Sequence, residues 1–272
     1  MSTKSNATSP AVITLAADQL ELACTSRQPT PPVRALIGDN DIDSAYAVQQ
    51  ELNARRIAAG AVVIGRKIGL TSPAVQRQLG VDQPDFGVLF ADMDVSAEPL
   101  VPSERLLQPK AEAEIAFVLK HDLDGDDLCD ETVRAAVDYA VAALEIVDSR
   151  IAAWDLTIAD TVADNASSGL YVLDETRVRL DEFEPRTATM RMYADDMLVC
   201  EGEGSACLGD PLNALTWLAR TAAAFGDPLR AGQVILSGAL GPMVAAPPGT
   251  RIRADIAPLG TVSATFSPKE DL

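Results

Sequence analysis

The sequence has a single histidine, His121, and four cysteines, Cys24, Cys129, Cys200 and Cys207, none in a Cys-x-x-Cys spacing. So few nitrogen and sulfur ligands exclude an ordinary zinc site. They also argue against a Ser-His-Asp nucleophile, because no histidine is placed beside a candidate serine. Scattered thiols fit a reducing compartment, so a cytoplasmic protein is expected. Basic residues are scarce as well: 22 Lys and Arg against 40 Asp and Glu leave a net charge of −18. Such a chain is a poor partner for a nucleic-acid backbone or an anionic membrane. A small anionic substrate stays open, since one metal ion and a few cations reverse the field locally. No apolar run approaches the roughly 18 residues of a membrane span. Ala11 to Ala17 is followed by Asp18 and Glu21, and reads as a helix start rather than a secretory signal.

What the chain does have is apolar substance. It is 47% hydrophobic over 272 residues, enough for one large domain, or a domain with a smaller appendage, around a sizeable core. The stretch Lys110-Ala111-Glu112-Ala113-Glu114-Ile115-Ala116-Phe117-Val118-Leu119 reads as a buried strand. Residues two apart share a strand face, so Glu112 and Glu114 stand side by side, with Ala113, Ile115, Phe117 and Leu119 opposite. Two adjacent carboxylates repel near a core unless a cation neutralises them. Two readings follow: a solvated pair at the strand end, or a site for a hard divalent ion such as Mg²⁺ or Mn²⁺. Glu145 interrupts the apolar run Ala143 to Val147. It is either on an exposed strand face or a third ligand.

Along the chain, Ser9-Pro10 predicts a helix to about Cys24, and Gln28 to Pro32 a rigid linker. A second helix is predicted from Asp41 or Asp43 to Gly60, with Ile42, Tyr46, Leu52 and Ile57 inward. Residues 1–60 thus form a small helical part and 61–272 the rest. Ala61 to Thr71 reads as a strand, Ser72-Pro73 as the start of a short helix ending at Gly80, and Val81 to Phe90 as a loop. The acidic turn His121 to Asp127 lacks the terminal glutamate of a calcium loop, and His121 is expected to be solvated. Asp130 opens a helix, Ala143 to Val147 is a strand, and Thr161 to Gly169 is a polar loop. Hairpins are predicted over Thr187 to Glu201, turning at Asp195-Asp196, and over Arg251 to Phe266. A helix from Asp210-Pro211 to Gly226 and a strand from Gln233 to Ser237 lie between them. The class is α+β, without the regular alternation of a dinucleotide-binding fold.

Further candidates for chemistry are polar residues in unusual company. Lys67 sits between Gly65 and Gly69 on an apolar strand, and either holds a carboxylate and moves a proton or faces solvent. Asp85, in Pro84-Asp85-Phe86-Gly87, is a candidate for chemistry or only a turn former. Ser167 and Ser168 are candidate hydrogen-bond donors, and Ser237 ends a strand where substrates bind.

Gly65-Arg66-Lys67-Ile68-Gly69-Leu70-Thr71, Gln83-Pro84-Asp85-Phe86-Gly87, Gln108 to Glu114, Ala163 to Gly169, Leu236 to Met243 and Ala264-Thr265-Phe266, in this order and spacing, resemble the 2-keto-4-pentenoate hydratase family of the fumarylacetoacetate hydrolase superfamily. The resemblance spans about residues 35 to 267. It implies a mixed β-roll catalytic core with the helical part in front, and a divalent-metal hydro-lyase of the meta-cleavage route of aromatic breakdown. It implies Glu112, Glu114 and Glu145 as metal ligands, Lys67, Asp85 and Ser167 as catalytic residues, and Lys67, Asn165, Ser167 and Ser237 as substrate-binding residues. It also implies a cytoplasmic homo-oligomer, a pentamer or decamer, in contact with a pathway decarboxylase or aldolase. Three rival readings stand beside the hydratase. They are a 2-oxo-3-hexenedioate (4-oxalocrotonate) decarboxylase, an acylpyruvate hydrolase and a non-catalytic partner subunit.

Overall fold

The computed structural model of the chain describes residues 8–72, 76, 83–125 and 128–269. Most of the short helix expected from Ser72 to Gly80 lies outside them.

The N-terminal part is helical. Helix α1 (Pro10–Ser26) has proline at its first position and buries Ala16, Ala17, Leu20 and Ala23. Ser9 opens it through its backbone carbonyl, which accepts from Val12 and Ile13, and not through its hydroxyl. The expected linker is pinned: Thr30 pairs with Ile151 as an isolated bridge. After one helical turn, α2 (Arg34–Ile37), comes α3 (Ile42–Ala58), where Asp41 caps the backbone N–H of Ser44. Tyr46 is buried as expected, but Ile57 is 51% exposed. The inward stripe of α3 is instead partly polar, with Gln49 donating to the carbonyls of Phe86 and Val162 at 3.0 and 2.9 Å.

Two sheets make up the remainder. Strands β1 (Val63–Gly69), β2 (Asp85–Phe90), β3 (Lys110–Leu119), β4 (Val137–Val147), β5 (Ser168–Leu173) and β8 (Val234–Ala239) lie in the order β2-β1-β8-β3-β4-β5, and β9 (Val244–Ala245) pairs with the start of β3. Only the β1–β8 contact is parallel among these pairs. Strands β6 (Thr189–Ala194), β7 (Met197–Glu203), β10 (Arg251–Ala257) and β11 (Gly260–Thr265) form a second antiparallel sheet, β11-β10-β6-β7. The β6–β7 hairpin turns at Asp195 and Asp196, both with positive φ, as the mirror-image hairpin turns require. Helices α4 (Asp130–Ala136), α5 (Ile158–Ala163) and α6 (Pro211–Ala224) complete the fold. The mixed β-roll of an α+β protein is the architecture observed.

Three segments differ from their expected form. Val81 to Phe90 is not all loop: β2 begins at Asp85 and is buried along its length. The strand expected to start at Ala143 starts at Val137, because β4 is flanked by β3 and β5 and packing overrides the helix preference of its alanines. Thr161 to Gly169 is not a polar loop but the end of α5, a left-handed turn and the start of β5.

Strand β3 divides the interior. Its odd-numbered residues Ala113, Ile115, Phe117 and Leu119 join a large apolar cluster with Met190, Met192, Ile252, Ala254 and Val262 of the second sheet. Ala116 belongs to a separate, smaller cluster with Val88, Val141, Ala143 and Leu236. The even-numbered face that carries Glu112 and Glu114 is therefore turned away from the second sheet.

Candidate active site

Strand pairing assembles the acids. Glu112 of β3 is the direct cross-strand partner of Glu145 on β4, and direct partners project from the same face. Glu114 lies two residues further along. One carboxylate oxygen from each of the three lies within 4.8 Å of the other two. Glu114 and Glu145 are fully buried and Glu112 is half-buried.

The β1–β2 ladder adds two more charges. Gly69 pairs with Asp85 and Lys67 with Gly87, which puts Lys67 and Asp85 on one face with a glycine beside the carboxyl. A Cβ on Gly69 would lie 2.2 Å from Asp85 Oδ1 and 3.4 Å from Lys67 Nζ. Lys67 Nζ donates to the Ala166 carbonyl at 2.8 Å and sits 3.1 Å from Glu145 Oε1. The second of these is a charge contact without hydrogen-bond alignment, so Glu145 keeps both oxygens unpartnered. From β8, the backbone N–H of Gly238 donates to Glu114 Oε2 at 2.8 Å. Gly238 has φ +107, and a Cβ there would lie 2.4 Å from Thr71 Cγ2, so glycine is required on both counts.

The carbonyl that holds Lys67 comes from an unusual turn. Asn165, Ala166 and Ser167 have φ 54, 53 and 53, three consecutive non-glycine residues in the left-handed region. Each costs about 1–2 kcal/mol, so the turn needs support. The Asn165 amide accepts from Val88 N at 2.8 Å and donates to Val88 O at 2.9 Å. Arg150 pairs with Asp164 through its Nε and donates to the Ser168 carbonyl at 2.6 Å. Burial pushes the Asp164 carboxyl up to about 6 despite the Arg150 charge. Next to the turn, Ser167 Oγ is 3.2 Å from Thr161 Oγ1, which donates to Asp85 Oδ2 at 3.4 Å.

Four carboxylates thus face one buried ammonium. Burial pushes the Glu112 carboxyl up to about 7, with Glu145 adding to it. Glu114 is raised well above its ordinary value by burial and then by Glu145 and Glu112. Burial also raises Glu145 and Asp85, with Lys67 pulling each back. For Lys67 burial works against the charge, but Glu145, Asp85, Glu112 and Glu114 outweigh it and hold the pKa above the ordinary lysine value. Buried carboxylate oxygens are normally satisfied. Here Glu114 Oε1, both oxygens of Glu145 and Asp85 Oδ1 have no hydrogen-bond partner. Clustered, buried, orphaned carboxylate oxygens are the donor set of a hard divalent cation, so the three glutamates fit such an ion.

All nine candidate site residues from the sequence are described, and five of them meet: Lys67, Asp85, Glu112, Glu114 and Glu145, while the Ser168 hydroxyl donates to the Asn165 carbonyl at 2.6 Å. Ser167 reaches this group through Thr161. Asn165 spends its amide on the Val88 backbone. The Ser237 hydroxyl lies 3.5 Å from the Gly238 carbonyl, and the strand's polar contact with the acids is Gly238 N. Thr161 and the Arg150–Asp164 pair were missed, as were the partners of Gly69 and Gly238. Both glycines lie inside quoted motifs, but those partners are distant in sequence. His121 is exposed, as expected. No described helix is long and apolar enough to cross a membrane.

Residues 61–267 match the family described as fumarylacetoacetate (FAA) hydrolase C-terminal. The chain is 54% identical over 252 residues to the TodF product hydratase of Pseudomonas putida strain F1, covering 93% of this chain and 94% of that protein. It is 51% identical over 251 residues to a 2-keto-4-pentenoate hydratase of Paraburkholderia xenovorans, covering 92% and 93%. Among solved structures it resembles the 4-oxalocrotonate decarboxylase of Pseudomonas putida G7, complexed with magnesium and adipate. There the TM-score is 0.88 and the identity 33%, covering 94% of this chain and 97% of that one.

Proposed function

The chain belongs to the fumarylacetoacetate (FAA) hydrolase family, and on that premise we propose that it is a hydro-lyase. It adds water to 2-hydroxypenta-2,4-dienoate (2-keto-4-pentenoate) to give 4-hydroxy-2-oxopentanoate in meta-cleavage breakdown of aromatic compounds. The observation that carries this is the 51–54% identity to named hydratases across more than nine tenths of the chain. In this reading residues 61–272 carry the chemistry and 1–60 cover it. The protein is a cytoplasmic homo-oligomer, a pentamer or decamer; its four free cysteines fit that compartment. Contact with a pathway decarboxylase or aldolase belongs to the same reading.

Glu112, Glu114 and Glu145 would hold Mg²⁺ or Mn²⁺, which when bound supplies positive charge opposite the developing enolate. The remaining work falls to the chain. Lys67 keeps its proton among four acids, so it steadies the negative charge that grows on the substrate's 2-oxygen. Asp85, raised by burial, keeps a proton on its unpartnered Oδ1 longer than an exposed aspartate. It gives that proton to C5 as the 2-hydroxyl releases its own to the carboxylate cluster. The double bond left between C3 and C4 is then conjugated to the ketone. Asp85, now ionised and steadied by Lys67 and the Thr161 hydroxyl, takes a proton from the water whose oxygen bonds C4. The proton held by the cluster ends on C3, so one water is added in total. Asn165 and Ser167 keep the turn in shape, and Ser167 and Ser237 offer hydroxyls to the substrate.

The 33% identity to a decarboxylase of known structure favours a second reading, loss of CO₂ from a six-carbon dicarboxylate. Freshly generated 2-hydroxypentadienoate with Mg²⁺ or Mn²⁺ should lose its ultraviolet absorbance and yield 4-hydroxy-2-oxopentanoate. An inert dienoate, with CO₂ released from 2-oxo-3-hexenedioate, would overturn the hydratase.

A further inference from the structure

A second lysine stands on the acid face. Lys110 precedes Glu112 by two residues on β3, so it projects from the same face, its Cα about 7 Å away. Its ammonium lies 4.1 Å from the centre of the Trp154 ring. That ring is fixed in turn. The indole N–H donates to the Gln108 carbonyl at 3.0 Å. The Gln108 amide donates to the carbonyls of Ser149 and Ile151 at 2.9 and 2.8 Å and accepts from Ala153 N at 2.9 Å. Ala153 and Trp154 are held in the left-handed region, with φ 57 and 56. Lys110 and Trp154 are both half-buried.

Among the described residues the Lys110 ammonium makes no ion pair and no side-chain hydrogen bond, only its contact with the Trp154 ring, in a chain where acids outnumber bases 40 to 22. An aromatic ring holds an ammonium by its quadrupole and leaves the charge unneutralised, as a carboxylate partner would not. Lys67, by contrast, spends a donor on the Ala166 carbonyl and its charge on Glu145. An anion approaching this face meets four carboxylates, and Lys110 offers it an ammonium whose N–H donors are all free.

We propose that Lys110, held on Trp154, is a substrate-binding residue that takes the carboxylate of the incoming 2-oxo acid at the rim of the acid cluster. The identity of that acid rests on the hydratase reading. Lys110→Met keeps the stem on the indole and removes the charge; Lys110→Arg keeps both. With 2-hydroxypenta-2,4-dienoate and Mg²⁺, one lost charge-assisted hydrogen bond should raise KM about tenfold in the methionine variant, with kcat within about threefold. The arginine variant should return KM to within about threefold of wild type. Raising salt to about 0.5 M should raise KM in wild type but hardly in Lys110→Met, because screening acts on the charge that is gone. Calorimetric binding of 2-oxopentanoate, an unreactive analogue, to the Mg²⁺-loaded protein should weaken by the same factor as KM. That measurement needs no turnover: binding by wild type without hydration would sink the hydratase and leave Lys110 standing. A methionine variant within about twofold of wild type in both KM and analogue affinity overturns the proposal, as does an arginine variant no better than methionine. If Lys110→Met does not fold, Trp154→Leu, which unanchors the ammonium, takes its place, and an unchanged KM there overturns it equally.

Discussion

Replacing Glu112 with glutamine keeps the side-chain shape and removes one of the clustered charges. In the metal-free protein the Glu112 carboxyl is pushed from an ordinary 4.5 up to about 7, by burial first and Glu145 second. The folded state therefore holds this proton longer than the unfolded chain does. The Glu112 contribution to stability is intact below pH 4.5, falls as pH rises, and is lost above about 7. At about 1.36 kcal/mol per pH unit the difference is worth at most about 3 kcal/mol, less because Glu112 is partly open to solvent. Each kcal/mol moves Tm by roughly 2–4 °C in a chain of this size. Metal-free Glu112→Gln should then melt up to roughly 10 °C above metal-free wild type at about pH 8, and close to it near pH 4. Saturating Mn²⁺ should reverse the order, since wild type gains the binding free energy and the variant lacks a ligand. Calorimetric melts of both proteins, at both pH values, with and without Mn²⁺, read all of this. Equal metal-free melting at about pH 8, with the same metal-induced shift in both, would refute the shared-cation reasoning and leave Glu112 a solvated acid.

Chelation should abolish turnover and lower Tm, and Mg²⁺ or Mn²⁺ should restore both; full activity with no metal detectable by elemental analysis would remove the site. Lys67→Met strips the buried cation from four carboxylates, and should cost roughly 3–5 kcal/mol in metal-free denaturant unfolding and about 10²–10⁴ in turnover, whereas a solvent-facing lysine would change neither. Gly69→Ala drives a methyl into Asp85 Oδ1, so kcat should fall at least about tenfold; wild-type kcat would mean that Asp85 moves freely. Asn165→Ala removes both amide bonds to Val88, and should cost about 1–3 kcal/mol in chemical unfolding, a cost absent if the turn supports itself.

The acidic trio was legible because its signal is local. Glu112 and Glu114 are two apart on a strand with an apolar opposite face, and Glu145 breaks an apolar run. The resemblance then joined these to Lys67 and Asp85. What was not legible came from tertiary pairing. Asp85-Phe86-Gly87 follows a proline and carries turn residues, and only the β1 edge makes it a strand. Val137 to Ala142 is alanine-rich and ambiguous by pattern, and its place between β3 and β5 decides. The 165–167 turn left little trace: asparagine tolerates positive φ, but the alanine and serine that follow do not advertise it. Thr161 matters only because α5 packs beside β2. Ile57 fits a helical stripe, yet polar Gln49 points inward because two carbonyls wait for its amide.

The sheet order also governs when the charges meet during synthesis. β3 and β4 are consecutive and antiparallel, so the three glutamates come together as soon as residue 147 has emerged and the pair zips up. Lys67 was made earlier, on a strand that does not pair with theirs. In the sheet, β8 separates β1 from β3, and β8 begins at Val234, long after both have been made. Until then the growing chain exposes a row of hydrated, mutually repelling carboxylates without the Lys67 ammonium. One late insertion, β8 sliding between two strands already present, brings the Gly238 N–H to Glu114 and closes β1 onto the acids. A chain stopped short of that strand would hold all three clustered glutamates and still lack the charge balance that lets them be buried.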